Sequence, residues 1–150
     1  MNDQALTDIV FETVINAPLD VVWRNMTSNE SVPQWLGCMQ YEKRIGHIFY
    51  MQQDPEKRAI NSTDGATHCE VLELEEPKRF LFSWYFPDMP KTYVAISLKK
   101  KSATETVAEF VHSGWDQFNA QEIKSIRDAL QGGWTSHVMP NLKRICEEAA

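Results

Sequence analysis

His112 is the polar residue whose type and position best suit acid–base chemistry in this sequence. It comes late in the segment Glu105 to Ser113, where apolar and polar residues alternate as in a strand, and it falls on the inward side with Ala108 and Phe110. A partly buried histidine can bind a ligand oxygen or transfer a proton, and Asp116, four residues later, could orient its ring. No serine or cysteine nucleophile is visibly paired with it. The alternative interpretation is a structural histidine, satisfied by a loop or by the final helix.

The other residues that could do chemistry form no recognisable catalytic or metal motif. His68 and Cys69 are adjacent, but a zinc site needs three or four ligands, and neither C-x-x-C nor H-x-x-x-H spacing occurs. A glycine-rich phosphate loop and a dinucleotide fingerprint are also missing from the sequence. Glu70 and Glu73 alternate with apolar residues, so we expect them to face solvent, although one of them could make an inward polar contact. We therefore expect no metal and no cofactor.

Composition and charge exclude several classes of function. The 150 residues are 43% hydrophobic and 24% charged, which is ordinary for one globular domain spanning residues 1–150. A net charge of −6 argues against nucleic-acid binding, which normally needs a basic face. We find no signal peptide and no membrane span of about 18 apolar residues. Three widely spaced cysteines predict free thiols in a cytoplasmic protein.

The last fifth of the chain, Asn119 to Glu147, predicts a long amphipathic helix. Asn119 with Glu122 resembles a capping box, and an apolar stripe about 120° wide would bury one face. Pro140 would remove the bond to the Ser136 carbonyl and kink the helix there. The stripe consists of Ile123, Ile126, Leu130, Trp134, Val138 and Ile145.

The chain before that helix is dominated by predicted strands. Ile9 to Ile15 is a first strand, and Pro18 to Met26 and Ser28 to Leu36 predict two short helices after it. Asp54 to Gly65 has the composition of a loop. Short turns between the remaining strands predict an antiparallel sheet. Those strands are Met39 to Arg44, Ile48 to Gln53, Thr67 to Glu75, Arg79 to Phe86, Thr92 to Lys100 and Glu105 to Ser113. The fold class is therefore α+β, with a curved sheet of about seven strands around the C-terminal helix.

Several short motifs, in this order along the chain, resemble those of a known superfamily. They are Ile15-Asn16-Ala17-Pro18 before Val21-Val22-Trp23, then Trp35, Gly46 before Phe49, Glu76-Pro77 with Arg79 to Trp84, His112 to Trp115, and Gly133-Trp134. From about residue 9 to 147 the chain resembles the SRPBCC superfamily, the START and birch-pollen-allergen-like helix-grip fold. Within it, the chain is similar to the branch named for homology to the activator of the heat-shock-protein-90 ATPase. The doubled Gly132-Gly133 and Pro140 depart from the family pattern.

The resemblance implies a cavity between the sheet and the helix, and alternation along the strands selects the side chains that face it. On Arg79 to Phe86 the even-numbered residues are all aromatic, so we assign that face to the inside. On Thr67 to Glu75, Leu72 and Leu74 argue for one face, whereas Cys69 and Val71 argue for the other. The candidate cavity residues are Trp35, Met39, Phe49, Met51, Phe80, Phe82, Trp84, Phe86, Val94, Ile96, Phe110, His112, Leu130 and Trp134. Abundant Trp, Phe and Met suit an apolar pocket, but the same residues could simply fill a core.

Three functions are compatible with these observations. Members of the superfamily bind lipids, sterols, polyketides and other apolar ligands, so the first is a non-catalytic protein that binds a small apolar or amphipathic, lipid-like molecule. The second is a protein-interaction module, such as a chaperone partner, which the family name suggests. The third is a cyclase or hydratase-like enzyme in which His112 and a carboxylate transfer protons. Monomer and homodimer are both open, and the ligand's identity does not follow from the sequence.

Overall fold

The computed structural model describes residues 6–150, and its strands form one antiparallel sheet of six. The strands are β1 (Ile9–Ile15), β2 (Ile48–Met51), β3 (Thr67–Glu75), β4 (Arg79–Trp84), β5 (Thr92–Ser102) and β6 (Glu105–Ser113), and their order across the sheet is β1-β6-β5-β4-β3-β2. The helices are α1 (Leu19–Thr27), α2 (Val32–Leu36), α3 (Pro55–Ala59), α4 (Ala120–Gly133) and α5 (Met139–Ala149). The predicted helix-grip fold of the α+β class is confirmed. None of the helices in the described range combines the length and apolarity that crossing a bilayer requires.

The predicted strand Met39 to Arg44 is wrong, and its loss reduces the expected seven strands to six. Only Met39 pairs with the sheet: its N–H donates to Tyr50 O at 2.7 Å and its carbonyl accepts from Tyr50 N at 3.1 Å. Gln40 then takes a positive φ of 61°, a conformation that turns the chain out of the extended path. The Tyr41 hydroxyl donates to Thr27 O at 2.8 Å and ties the departing loop to the end of α1.

A β-bulge in β3 explains why its sequence pattern favoured neither face. The pairing with β4 shifts between Val71, which lies opposite Phe82, and Glu73, so Leu72 is an extra residue. Before the bulge Cys69 and Val71 are fully buried, and after it Leu74, opposite the buried Phe80, packs against the core. Each half of the strand therefore obeys the alternation, but in opposite phase.

The predicted loop Asp54 to Gly65 contains α3. The Asp54 carboxylate accepts hydrogen bonds from the N–H groups of Glu56 and Lys57, and Pro55 occupies the first turn. Both features stabilise a helix start in a short segment that buries no residue of its own.

A π-helical segment, Trp134–Val138, interrupts the C-terminal helix and ends two residues before Pro140. Met139 N–H bonds to Trp134 O, five residues back, so one extra residue enters the turn and Pro140 falls in the first turn of α5. The extra residue shifts the buried face. Ile123 and Trp134 are buried as predicted, but beyond Trp134 the buried positions are Met139, Leu142 and Cys146 rather than Val138 and Ile145, which are only half-buried, while Ile126 is exposed.

Candidate ligand-binding site

The fourteen candidate cavity residues all lie in or against the apolar interior. Twelve are buried, and Phe86 and Leu130 are half-buried. Their aromatic rings touch across neighbouring strands, with centroid distances of 5.5 Å for Phe49 and Phe82 and 5.2 Å for Phe80 and Phe82. Phe110 and Trp134, 5.1 Å apart, join the sheet to the helix. The sequence pattern thus selected residues that the fold brings together.

The interior is closed by its own side chains in this structure. Five of the surface pockets formed by the described residues have volumes of about 330 to 610 Å³, and none of the fourteen candidate residues lines one of these five. The candidate residues pack on one another, so a ligand can enter only if part of this packing moves.

His112 is held by a hydrogen-bond network that fixes its tautomer. The Thr92 hydroxyl donates to Trp84 O at 2.6 Å, so its oxygen accepts the proton of His112 Nε2 at 2.7 Å. Trp134 Nε1–H donates to His112 Nδ1 at 3.1 Å, and Trp115 Nε1–H donates to the His112 carbonyl at 3.1 Å. Both ring nitrogens are therefore satisfied by a neutral imidazole with its proton on Nε2.

The surroundings of His112 oppose a role in proton transfer at neutral pH. Its side chain is fully buried, and burial lowers its pKa to about 3, with the nearby positive charge of Arg127 acting in the same direction. A general base needs a pKa near the working pH and a free nitrogen within reach of its proton. Asp116, considered as an orienting carboxylate, is exposed, and Thr92 and Trp134 hold the ring instead.

Two buried indole groups of the candidate set have no hydrogen-bond partner among residues 6–150. The Nε1–H groups of Trp35 and Trp84 are buried and unpaired, and so is that of Trp23, which lines a surface pocket beside Lys43. The Trp84 ring lies edge-to-face with Phe86 at a centroid distance of 5.4 Å and is tilted against Trp115 at 6.2 Å. A buried donor without a partner costs about 1–3 kcal/mol, and native proteins satisfy most such groups. The interior thus contains donors that an acceptor atom would stabilise.

Arg127 is a buried, hydrogen-bonded charged residue that the sequence pattern did not indicate. It is 8% exposed on α4, and its guanidinium donates to Thr7 O at 2.8 Å and to Thr7 Oγ1 and Asp8 O at 3.3 Å. These bonds attach α4 to the chain that enters β1. A charged residue inside an otherwise polar stretch of helix gives no sequence signal of burial, because its acceptors are backbone carbonyls far away in the chain.

The described residues contain no cluster of three or more His, Cys, Asp or Glu side chains placed to hold a metal ion. Cys38, Cys69 and Cys146 are free and buried, and burial raises the pKa of Cys38 and Cys146 to about 12, so their thiols stay protonated. Glu73 lies on the outer face, where it is 3.7 Å from Arg79 Nε. Glu70 is half-buried, and its backbone N–H donates to the Ser83 hydroxyl oxygen at 3.0 Å.

Comparisons with known proteins agree with this geometry. Residues 16–147 match the family model described as Activator of Hsp90 ATPase homolog 1-like protein. A solved protein of Bacillus halodurans is 26% identical, with a TM-score of 0.72 over 95% of this chain and 99% of that one. An HSP90 activator from Plasmodium falciparum is 14% identical, with a TM-score of 0.72 over 93% of this chain and 96% of that one.

A protein from the dynemicin biosynthetic locus is 23% identical, with a TM-score of 0.70 over 99% of this chain but 49% of that one. No curated protein matches this sequence. Because the family match and the shared fold both extend over nearly the whole chain, this protein belongs to the Activator of Hsp90 ATPase homolog 1-like family of the SRPBCC superfamily.

Proposed function

We propose that this protein binds a small apolar or amphipathic molecule between its sheet and its C-terminal helix, without catalysing a reaction on it. The observation that carries the proposal is that the indole N–H groups of Trp35 and Trp84, inside an aromatic core, have no hydrogen-bond partner in the described part of the chain. Apolar pockets bind ligands through such walls together with a few polar atoms that fix orientation. A carbonyl, ether or hydroxyl oxygen of a ligand would accept from either indole. The closed network of His112 supports binding over acid–base catalysis.

The element that opens the site in this proposal is α4. Only Ile123 and Arg127 are buried among its fourteen residues, so little apolar surface holds it against the sheet. Gly132 and Gly133 end the helix, and a Cβ added at either position would meet no atom within 4 Å. Glycine weakens a helix by roughly 1 kcal/mol relative to alanine, which favours bending at this point. Movement of α4 about the two glycines would uncover the sheet beneath it.

The test uses prodan, a neutral naphthalene that carries a ketone and reports hydrogen bonding by its emission colour. We expect saturable binding to the wild-type protein, with a shift of the emission that indicates a donated hydrogen bond. Trp84→Phe and Trp35→Phe keep an aromatic ring but remove the donor, so at least one of them should weaken binding about fivefold to tenfold, the value of one hydrogen bond. Native mass spectrometry of the freshly purified protein would show any ligand retained from the cell.

Trp23→Phe is the matched control, because it also removes an unpaired indole N–H, but one beside the surface pocket of Lys43. It should bind prodan like the wild type. Absence of saturable binding at about 0.1 mM prodan would contradict the proposal. Equal prodan affinity of all three variants would show that the indoles of Trp35 and Trp84 donate no hydrogen bond to the ligand. Thermal melts of each variant show that the fold is retained.

A second candidate is a protein-interaction module, as the family description suggests. Apolar side chains on the outer face of the sheet support it, since Val10 and Tyr93 are 59% and 38% exposed. Pull-down with purified heat-shock protein 90 tests this hypothesis directly. Trp84→Phe leaves the outer face intact, so this variant should still be recovered with the partner even if it binds prodan more weakly. We also propose a cytoplasmic location, which the three free cysteines support.

A further inference from the structure

The outer face of the sheet carries an apolar row that crosses four strands. In the strand register Val10 lies opposite Val111, Val111 opposite Ala95, and Ala95 opposite Leu81. An antiparallel sheet with one solvated face normally shows polar residues on that face. A shallow groove of about 480 Å³ follows this part of the sheet, with Leu81, Ala95 and Val111 among its lining residues. The face therefore has the composition of a contact surface.

The neighbouring row is charged, and its two ends have opposite sign. Glu12 lies directly opposite Glu109, which lies opposite Ser97, which lies opposite Arg79. Like charges in cross-strand positions destabilise a sheet, and neither glutamate forms an ion pair with a described residue. Arg79 has a single ion-pair contact within the described chain, with Glu73 at 3.7 Å, and its Nε is buried without a hydrogen-bond partner.

We propose that this outer face pairs with the same face of a second copy, about a two-fold axis that runs parallel to the strands between β5 and β6. Such an axis keeps each row in place but exchanges the strands, so that β1 lies over β4 of the second copy and β6 over β5. Val10 then meets Leu81 of the second copy, and Glu12 meets Arg79 of the second copy. Apolar groups contact apolar groups, Glu12 of each copy faces Arg79 of the other, and Glu109 lies over Ser97 of the second copy.

The open edge of β1 offers a less favourable contact between copies. Along this edge Lys143 Nζ donates to Val14 O at 3.0 Å and the Asn16 N–H donates to a Glu147 carboxylate oxygen at 2.9 Å. Arg127 NH2 donates to Asp8 O near the other end. Strand addition needs a run of free backbone groups, and these side chains occupy both ends of the run. The charges and the apolar row therefore favour the outer face of the sheet, rather than the β1 edge, as the contact between copies.

The contact is small, so the dimer is expected to be reversible. Four strands about 4.8 Å apart and two rows about 7 Å apart give a footprint of roughly 300 Å² per copy. That size is at or below the lower end of specific protein interfaces. We expect a dissociation constant on the order of 0.1 mM, with mostly monomer at about 10 μM and mostly dimer near 1 mM.

Sedimentation velocity over this concentration range, with charge-swapped variants, tests the proposal. Glu12→Arg places two arginines together in each contact, and Arg79→Glu places two acids together, so each variant alone should lose at least tenfold in association. An equimolar mixture of the two variants restores both opposite-charge contacts, and it should associate within about threefold of the wild type. Only a contact between different copies predicts recovery on mixing.

Glu30→Arg and Arg144→Glu are the controls, because they make the same changes of net charge at other exposed positions. Both should associate like the wild type. A wild type that stays monomeric at about 1 mM overturns the proposal, as does a dimer that survives both single variants or a mixture that fails to recover. Circular dichroism melts confirm that each variant is folded. Prodan binding is independent of this result, because the outer face and the interior lie on opposite sides of the sheet.

Discussion

At neutral pH the imidazole of His112 is uncharged, because its buried site and the neighbouring Arg127 both lower its pKa. In the unfolded chain the same group regains its ordinary pKa of about 6.5. The unfolded state then binds more protons than the native state below that value. The stability that depends on neutral His112 is thus fully present above about pH 6.5 and is lost as the pH falls towards 3.

This linkage predicts the pH dependence of the His112→Gln variant. In the wild type His112 alone should lower the free energy of unfolding by about 2 kcal/mol between pH 7 and pH 5. Glutamine has no proton to gain, so the variant should be less stable at pH 7 through its lost hydrogen bonds but should lose correspondingly less on acidification. Urea unfolding at the two pH values measures the difference. His137→Gln, at an exposed position, is the control, and an unchanged pH slope in His112→Gln would contradict the prediction.

At the level of single residues, the side of a strand can be predicted from the sequence, but hydrogen-bond partners that are distant in the chain cannot. Alternation along β4 separated Phe80, Phe82 and Trp84 from Leu81, because a strand exposes its side chains to two faces in turn. The partners of His112 could not be predicted in this way. Thr92 and Trp134 are 20 and 22 residues from it in the chain, and only the fold brings their polar atoms within 3.1 Å.

Among the elements, the end of α4 gives a direct test of the hinge. Ala at positions 132 and 133 meets no atom within 4 Å, and neither glycine has a positive φ, so each substitution fits the helix without strain. Gly132→Ala and Gly133→Ala should each raise the free energy of unfolding by about 0.5–1 kcal/mol, and the melting temperature by a few degrees. If the hinge opens the site, the double variant should also bind prodan more slowly.

Gly114→Ala is the informative contrast. Gly114 has a φ of +99°, and a Cβ there would lie 3.1 Å from Thr92 Cα, so this substitution should destabilise the protein. Stopped-flow mixing with prodan and thermal melts measure the two properties separately. A double variant at 132 and 133 that is more stable but binds prodan at the wild-type rate would support the effect on helix stability and contradict the role of the glycines as a hinge.

The elements themselves were largely predictable, and the exceptions have local causes. The bounds of β1, β3 and β6 agree with the predicted strands because each carries a clear period of two or a turn at both ends. The false strand after residue 38 failed at Gln40, whose positive φ has no signature in a glutamine. The bulge at Leu72 and the π-helical turn each insert one residue. The first exchanges the inward and outward positions along β3, and the second rotates the buried face of the C-terminal helix, while the burial pattern stays periodic on either side of each insertion.

For the whole molecule, Arg127 connects α4 to the segment that enters β1. Arg127→Leu removes the hydrogen bonds to Thr7 and Asp8, and charged hydrogen bonds of this kind contribute about 1.5–3 kcal/mol each. We expect amide hydrogen exchange in α4 to accelerate at least about tenfold, while β5 and β6 keep their protection. Lys124→Leu is the control, because Lys124 pairs only with exposed Asp128 on the same helix among the described residues. Unchanged exchange in α4 would show that Arg127 is not its anchor.

At this scale the fold could be assigned from the order of many weak motifs, since each marks a turn or a helix boundary that the architecture needs. Whether the interior is an open cavity or a filled core could not be predicted from the sequence. Whether large aromatic side chains enclose a space or fill it depends on rotamers and on small shifts of helices, and composition is the same in both cases. The outer row of Val10, Val111, Ala95 and Leu81 was equally hidden, because it appears only when four separate strands are aligned.

The π-helical turn also affects how relatives should be compared with this protein. Residues after Val138 are displaced by one position relative to an uninterrupted α-helix, so Met139, Leu142 and Cys146 take the places that Val138 and its successors would otherwise hold. An alignment that carries the C-terminal helix through without a gap will therefore equate buried residues here with exposed residues in a relative that lacks the turn. A single-residue gap between Trp134 and Met139 restores the correspondence, and the buried cysteine is then compared with a true core position.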